Sequence, residues 1–150
     1  MPGPLRSIDP CTPETARRIV AIQRVAYRIE ADLIGFDGIP QLTETAEQVQ
    51  CLGHMRWTGA FVDELLVGVI AWQRHEHGAE IDRLAVDPAV ARQGLGRQLV
   101  RSVPVAGTTT VSTGKDNSPA VALYLSEGFE QTGTSEIAAN VLLAEFRRRS

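Results

Sequence analysis

Gly94-Leu95-Gly96 lies between a strand-like run, Glu80 to Val86, and a helical run, Gly94 to Val103, that stops at Pro104. A glycine turn that opens a helix exposes unpaired backbone N–H groups and the positive end of the helix dipole. The glycines let the backbone approach a ligand closely. Arg92 and Arg97 flank the turn with positive charge, and Gln93 adds a polar group. That combination is the chemistry of a pyrophosphate cradle. No Gly-Lys-Ser/Thr follows, so it is not a triphosphate loop. Leu99 stands where a dinucleotide fingerprint needs its third glycine. Taken alone, the motif also fits a plain tight turn.

Other reactive residues are sparse. Cys11 and Cys51 are the only cysteines and form no metal or disulfide pattern, so two reduced thiols are expected. His75 and His77 share one strand face beside Gly78. Zinc needs further ligands, so a solvated hairpin tip is the simpler reading and no metal is expected. Trp57 and Trp72 read as core, and Arg147-Arg148-Arg149 as a solvated tail.

The 150 residues suit one domain, 1–150, with 43% hydrophobic and 22% charged residues. A net charge of −3 argues against a nucleic-acid-coating surface. No apolar run reaches the ~18 residues of a membrane span. Met1 to Arg6 lacks the order of a signal peptide, so a cytoplasmic location is expected.

The elements that must position the cradle follow from period and punctuation. Thr12-Pro13-Glu14 starts a helix carrying Ile19, Ile22, Ala26, Ile29 and Leu33 at spacings of three and four. A weaker helix is predicted from about Thr43 to Met55. Gly59 to Val62 and Leu65 to Arg74 read as strands around Asp63-Glu64, followed by Glu80 to Val86. Thr108 to Thr113 is a β-branched strand, and Asn117 to Glu127 a helix with Pro119 in its first turn and Gly128 past its end. Phe129 to Ile137 and Asn140 to Phe146 pair as a hairpin. The order predicts an α+β domain around one sheet.

Two blocks carry a resemblance. Leu84-Ala85-Val86-Asp87-Pro88 leads into Gly94-Leu95-Gly96, and Asn117, Ala120, Leu123, Tyr124, Gly128 and Phe129 recur downstream as Asn-x-x-Ala-x-x-Leu-Tyr-x-x-x-Gly-Phe. Together they resemble the GNAT superfamily of acyl-CoA-dependent N-acetyltransferases over about residues 58 to 146. Ala91 departs from the family's Gln/Arg position, with Arg92 and Gln93 just after it. The N-terminal 55 residues resemble the family only in having two helices.

The resemblance implies a single central, mostly antiparallel twisted sheet with a splayed parallel strand pair and helices on both faces. It implies acetyl-CoA as cosubstrate, its diphosphate on the amides of Arg92, Gln93, Gly94, Leu95, Gly96 and Arg97. Pantetheine would lie between Leu84-Ala85-Val86 and the strand Thr108 to Thr113, with the thioester carbonyl toward an N–H near Val86. On the downstream helix, Ala120 lies beside the cofactor, and Asn117 caps the helix, bonds pantetheine, or does both. A direct attack by an amine needs no catalytic Cys or Ser. Tyr124 is the implied acid for the leaving thiolate.

The base is open. Strict alternation puts Glu80, Asp82, Leu84 and Val86 on one strand face and Ile81, Arg83 and Ala85 on the other. Glu80 stands where the histone-acetylating branch places its glutamate, and Asp82 is one pleat nearer the wedge. Pairing with Arg83 or Arg74 is the structural alternative for both, and water chains are the alternative base. Other branches carry a glutamate on the next strand, where Val111-Ser112-Thr113 has none.

From position 25 to 55, the segment from the first helix into the second carries Glu30, Asp32, Asp37, Glu44 and Glu47 against Arg28 as its only Lys or Arg. Such acids concentrate cations. Tyr27 and Glu30, one turn apart, are the expected acceptor contacts. The expected partner is therefore a small cationic or peptide amine, with a second copy of the chain left open. A CoA-binding regulatory module without turnover is the competing reading.

Overall fold

The computed structural model describes residues 4–90, 93–103 and 106–149. Thr12 is extended and Pro13 occupies the first turn of α1 (Pro13–Ile34). Pro costs nothing there, because that N–H has no helical partner. Ile19, Ile22 and Ala31 are buried along one face, and Gly35 ends the helix at φ 67. The second helix, α2 (Ala46–Gln50), is shorter than the predicted Thr43 to Met55. Thr45 and Gln48 form a capping box that fixes its start. Its end is set where the Leu52 carbonyl accepts from Trp57 Nε1 at 3.0 Å.

Seven strands form one sheet: β1 (Leu5–Ser7), β2 (Arg56–Val62), β3 (Leu65–His75), β4 (Gly78–Val86), β5 (Thr108–Gly114), β6 (Glu130–Ala138) and β7 (Val141–Arg149). Their order is β1-β2-β3-β4-β5-β7-β6, antiparallel except for β4 with β5. β1 was not predicted, since three residues are too short to show a period. Asp63 and Glu64, at φ 50 and 64, make the tight β2–β3 turn. Arg147 to Arg149 are not a solvated tail: they pair with Thr108 to Thr110 in β7. Arg148 also lies 4.7 Å over the Phe129 ring. His75 and His77 are exposed at the β3–β4 turn, whereas Trp57 and Trp72 are core residues.

Helices cover both faces. α1 and α2 pack Ile19, Ile22 and Val49 against Val69, Ala71 and Ala85. On the other face α3 (Leu95–Arg101) and α4 (Ser118–Ser126) pack Leu99 and Tyr124 against Ile70, Trp72 and Phe146.

The predicted alternation along β4 fails at one residue. Ala71 pairs with Arg83, but Trp72 pairs with Ile81, leaving Asp82 without a partner. This bulge reverses the faces on either side of it. Ile81 therefore shares the α3/α4 face with Leu84 and Val86, while Arg83 and Ala85 point toward α1. Glu80 is thus not on the face of Leu84 and Val86.

Parallel pairing of β4 and β5 is confined to Gly78–Glu80 with Thr108–Thr110. Beyond it the strands run on without pairing. Gly78 anchors this short contact at φ 154, and a Cβ there would overlap the Thr108 carbonyl oxygen. Gly78→Ala must strain the backbone or push β5 away, so it should lower stability by more than about 1 kcal/mol. Urea unfolding of the two proteins checks this.

Candidate active site

Where β4 and β5 part, a cavity of about 760 Å³ opens between them. That is the size of a small-molecule site. Leu84, Ala85 and Val86 line one side, and Val111 and Thr113 the other. Asn117, Ala120 and Tyr124 enter from α4, Gly96 from α3, and Tyr27 and Glu30 from α1. Sequence reasoning had named most of these separately, and the fold brings them to one space.

Gly94 caps α3 at φ 74, in the left-handed region, with no side-chain cap bond. The amides of Leu95, Gly96 and Arg97 thus have no intrahelical partner. A Cβ on Gly96 would meet only Leu123 at 3.5 Å and Val86 at 3.9 Å, so that position faces open cavity. The Leu95 side chain is buried in the core. Gln93 is exposed. Arg97 is tied by its Nε to Glu127 at 3.2 Å. Arg92 lies outside the described residues.

Asn117 caps α4, its Oδ1 accepting from the Ala120 N–H at 3.4 Å. Its Nδ2 donates to Glu30 Oε1 at 2.8 Å. Thr113 Oγ1 donates to the same oxygen at 3.4 Å, and the Gly114 N–H adds a further bond to the carboxylate. Burial outweighs these donors and raises the Glu30 carboxyl above its ordinary value. Tyr124 is buried, and burial, then the Glu30 charge, raises its phenol well above the ordinary tyrosine range. Tyr27 is raised likewise by burial, then Glu30, while a hydrogen bond with the Leu84 backbone opposes the shift. Both phenols stay protonated at neutral pH.

Asp82 and Glu80 sit differently. Arg83 is buried; its Nη1 donates to Gln23 at 2.9 Å and to Glu44 at 2.6 Å, and its Nε donates to Asp82 at 2.7 Å. Asp82 reaches the cavity as the counter-ion of that guanidinium. Glu80 is outside it, in a polar cavity of about 480 Å³ with Ser112 and Glu145. Of the acids from position 25 to 55 only Glu30 lines the main cavity. Asp32 and Asp37 pair with Arg28, and Glu44 with Arg83. The Glu30–Asn117 bond had no signal in the sequence, its partners being 87 residues apart.

A family model for the acetyltransferase (GNAT) domain matches residues 54–131. The chain belongs to the GNAT acetyltransferase family. It carries an acetyltransferase domain. Among curated relatives, "Peptidyl-lysine N-acetyltransferase YjaB" of Salmonella typhimurium is 30% identical over 116 residues, covering 75% of this chain and 67% of that protein. "UPF0157 protein YqkA" of Bacillus subtilis is 39% identical over 135 residues, covering 87% of this chain. The chain spans only 39% of YqkA's length. Among solved structures, the PaiA N-acetyltransferase of Thermoplasma acidophilum with coenzyme A shares the fold, with a TM-score of 0.73 at 15% identity over 100% of both chains. Among the described residues no group of His, Cys, Asp and Glu is placed to hold a metal, and no helix is long and apolar enough to cross a membrane.

The raised Glu30 carboxyl has a consequence for stability. The folded state holds that proton more tightly than the unfolded chain does. Stability from this group is full below the ordinary value of 4.5 and is lost as pH rises through the higher folded value. Glutamine does not titrate. Glu30→Gln should therefore gain stability relative to the parent as pH climbs across that window, in urea titrations at several pH values.

Proposed function

We propose that this GNAT domain transfers the acetyl group of acetyl-CoA to a primary amine by direct attack in a ternary complex. The observation that carries the proposal is the opening between β4 and β5, with unpaired strand backbone on both sides and the Tyr124 phenol inside it. The site fits the donor. The amides at Gly94–Arg97 suit a diphosphate, and the open face of Gly96 admits it. Leu84, Ala85 and Val86 present strand backbone to pantetheine, and Asn117 and Ala120 line the same cavity from the start of α4.

The amine nitrogen attacks the thioester carbonyl carbon, an N–H near Val86 steadies the developing oxyanion, and the C–S bond breaks. Tyr124 gives its proton to the leaving thiolate. Its raised phenol keeps that proton available at neutral pH. Glu80 and Asp82 are the candidate bases on β4, Asp82 being engaged with Arg83. Tyr27 and Glu30 are the proposed acceptor contacts. The amine class is supported by the lysine acceptor in YjaB's name, since a lysine side chain ends in a primary amine.

Tyr124→Phe should lower kcat about 10²–10⁴-fold with little change in the acetyl-CoA KM. Gly96→Val should weaken acetyl-CoA binding while the protein stays folded. Thiol release and calorimetry read the two effects. An unchanged kcat in Tyr124→Phe would remove Tyr124 from the chemistry, and tight acetyl-CoA binding with no amine-dependent thiol release would favour a CoA-binding module without turnover.

A further inference from the structure

Two carboxylates line the main cavity, Glu30 and Asp82. Asp82 is neutralised by Arg83. Glu30 has no cationic partner among the described residues. Its donors, Asn117, Thr113 and the Gly114 N–H, are all neutral. A carboxylate offers about four acceptor sites, so these leave room for one more donor. A partly buried anion with neutral donors alone lacks one positive charge. The other groups facing it cannot supply that charge: Tyr27 and Tyr124 are neutral phenols, and Arg83 is spent on Glu44 and Asp82.

The wall beside Glu30 is apolar. Ile29 and Leu33 flank it on α1, Phe36 follows the helix, and Ile137 closes in from β6. Ile29, Leu33 and Ile137 are 45%, 44% and 45% exposed despite their size. A second ammonium on the ligand would have to lie against these side chains, losing water without gaining a partner.

We propose that the acceptor is a primary amine with one positive charge and an apolar body, its ammonium on Glu30 and its body on Ile29, Leu33, Phe36 and Ile137. This rests on the acetyl-transfer reading above and assigns Glu30 as the base. The ammonium gives one proton to the Glu30 carboxylate, and the free amine nitrogen bonds the thioester carbon. The C–S bond breaks, and the thiolate takes the Tyr124 proton. The N–H of the nascent amide cation restores Tyr124, and Glu30 releases its proton to water.

The test compares phenethylamine, ethylamine and spermidine as acceptors by thiol release, with calorimetry for binding. Phenethylamine should exceed both others in kcat/KM by about tenfold or more, as filling an apolar pocket does. Glu30→Gln should raise its KM about tenfold or more and abolish the acid limb of the kcat/KM pH profile, with acetyl-CoA affinity unchanged. Leu33→Ala, which shortens the apolar wall without adding charge, should lower kcat/KM for phenethylamine more than for ethylamine. A preference for spermidine, or an unaltered KM and acid limb in Glu30→Gln, overturns the proposal. Failure of acetyl-CoA to bind would instead remove the acetyl-transfer reading. In that case phenethylamine binding that Glu30→Gln weakens still upholds the ammonium site, and absence of such binding overturns it.

Discussion

Three residues of parallel pairing hold β4 to β5, and the main cavity of this domain depends on where that pairing stops. Buried backbone N–H and C=O groups need partners. Strands that part inside a sheet leave such groups open on both edges. Here α1 spans the gap. Tyr27 meets the backbone of Leu84 on β4, and Glu30 meets Thr113 and Gly114 on β5. One helical turn therefore bridges both sides of the wedge. The same side chains that complete the sheet edges are the ones that face the cavity.

The bulge at Asp82 makes this possible from the β4 side. One extra residue turns Arg83 toward α1, where it gathers Gln23, Glu44 and Asp82. A buried guanidinium needs that many acceptors to offset its lost hydration. The cluster ties α1, β4 and the segment before α2 into one polar joint, and it neutralises Asp82, which lines the cavity with Glu30. Charge in the site is thus set by what Arg83 consumes.

Both sheet faces bury an apolar core, and they differ in what is added to it. The α3/α4 face holds a continuous core, with Tyr124 packed against Phe129 and Phe146 at ring distances of 5.5 and 5.9 Å. That packing fixes the phenol with little freedom. The α1 face carries the ionic joint and an exposed apolar rim. The cavity thus has a packed phenol on one side and an exposed apolar rim on the other.

Local rules made much of this visible in the residues alone. The Pro13 start of α1, the capped α4, the glycine turn at Gly94 and the alternating strands all depend on neighbours within a few positions, and the Asn117-to-Phe129 segment carried the family resemblance. Three features stayed hidden, each for a physical reason. The three-residue β1 exists only because β2 is there to pair with it. The faces of β4 depend on one bulged residue, and a shift of one position inverts a period of two. Val111-Ser112-Thr113 carries no acid, but Glu30 reaches the same cavity across the fold, bonded to Asn117 at a separation of 87 residues. Most elements, and the glycine turn proposed for the donor, could be read from chain order, because those are short-range choices. Which carboxylate faces the cavity, and which is neutralised, was decided only by the tertiary structure, because charge pairing depends on distances that chain order does not encode.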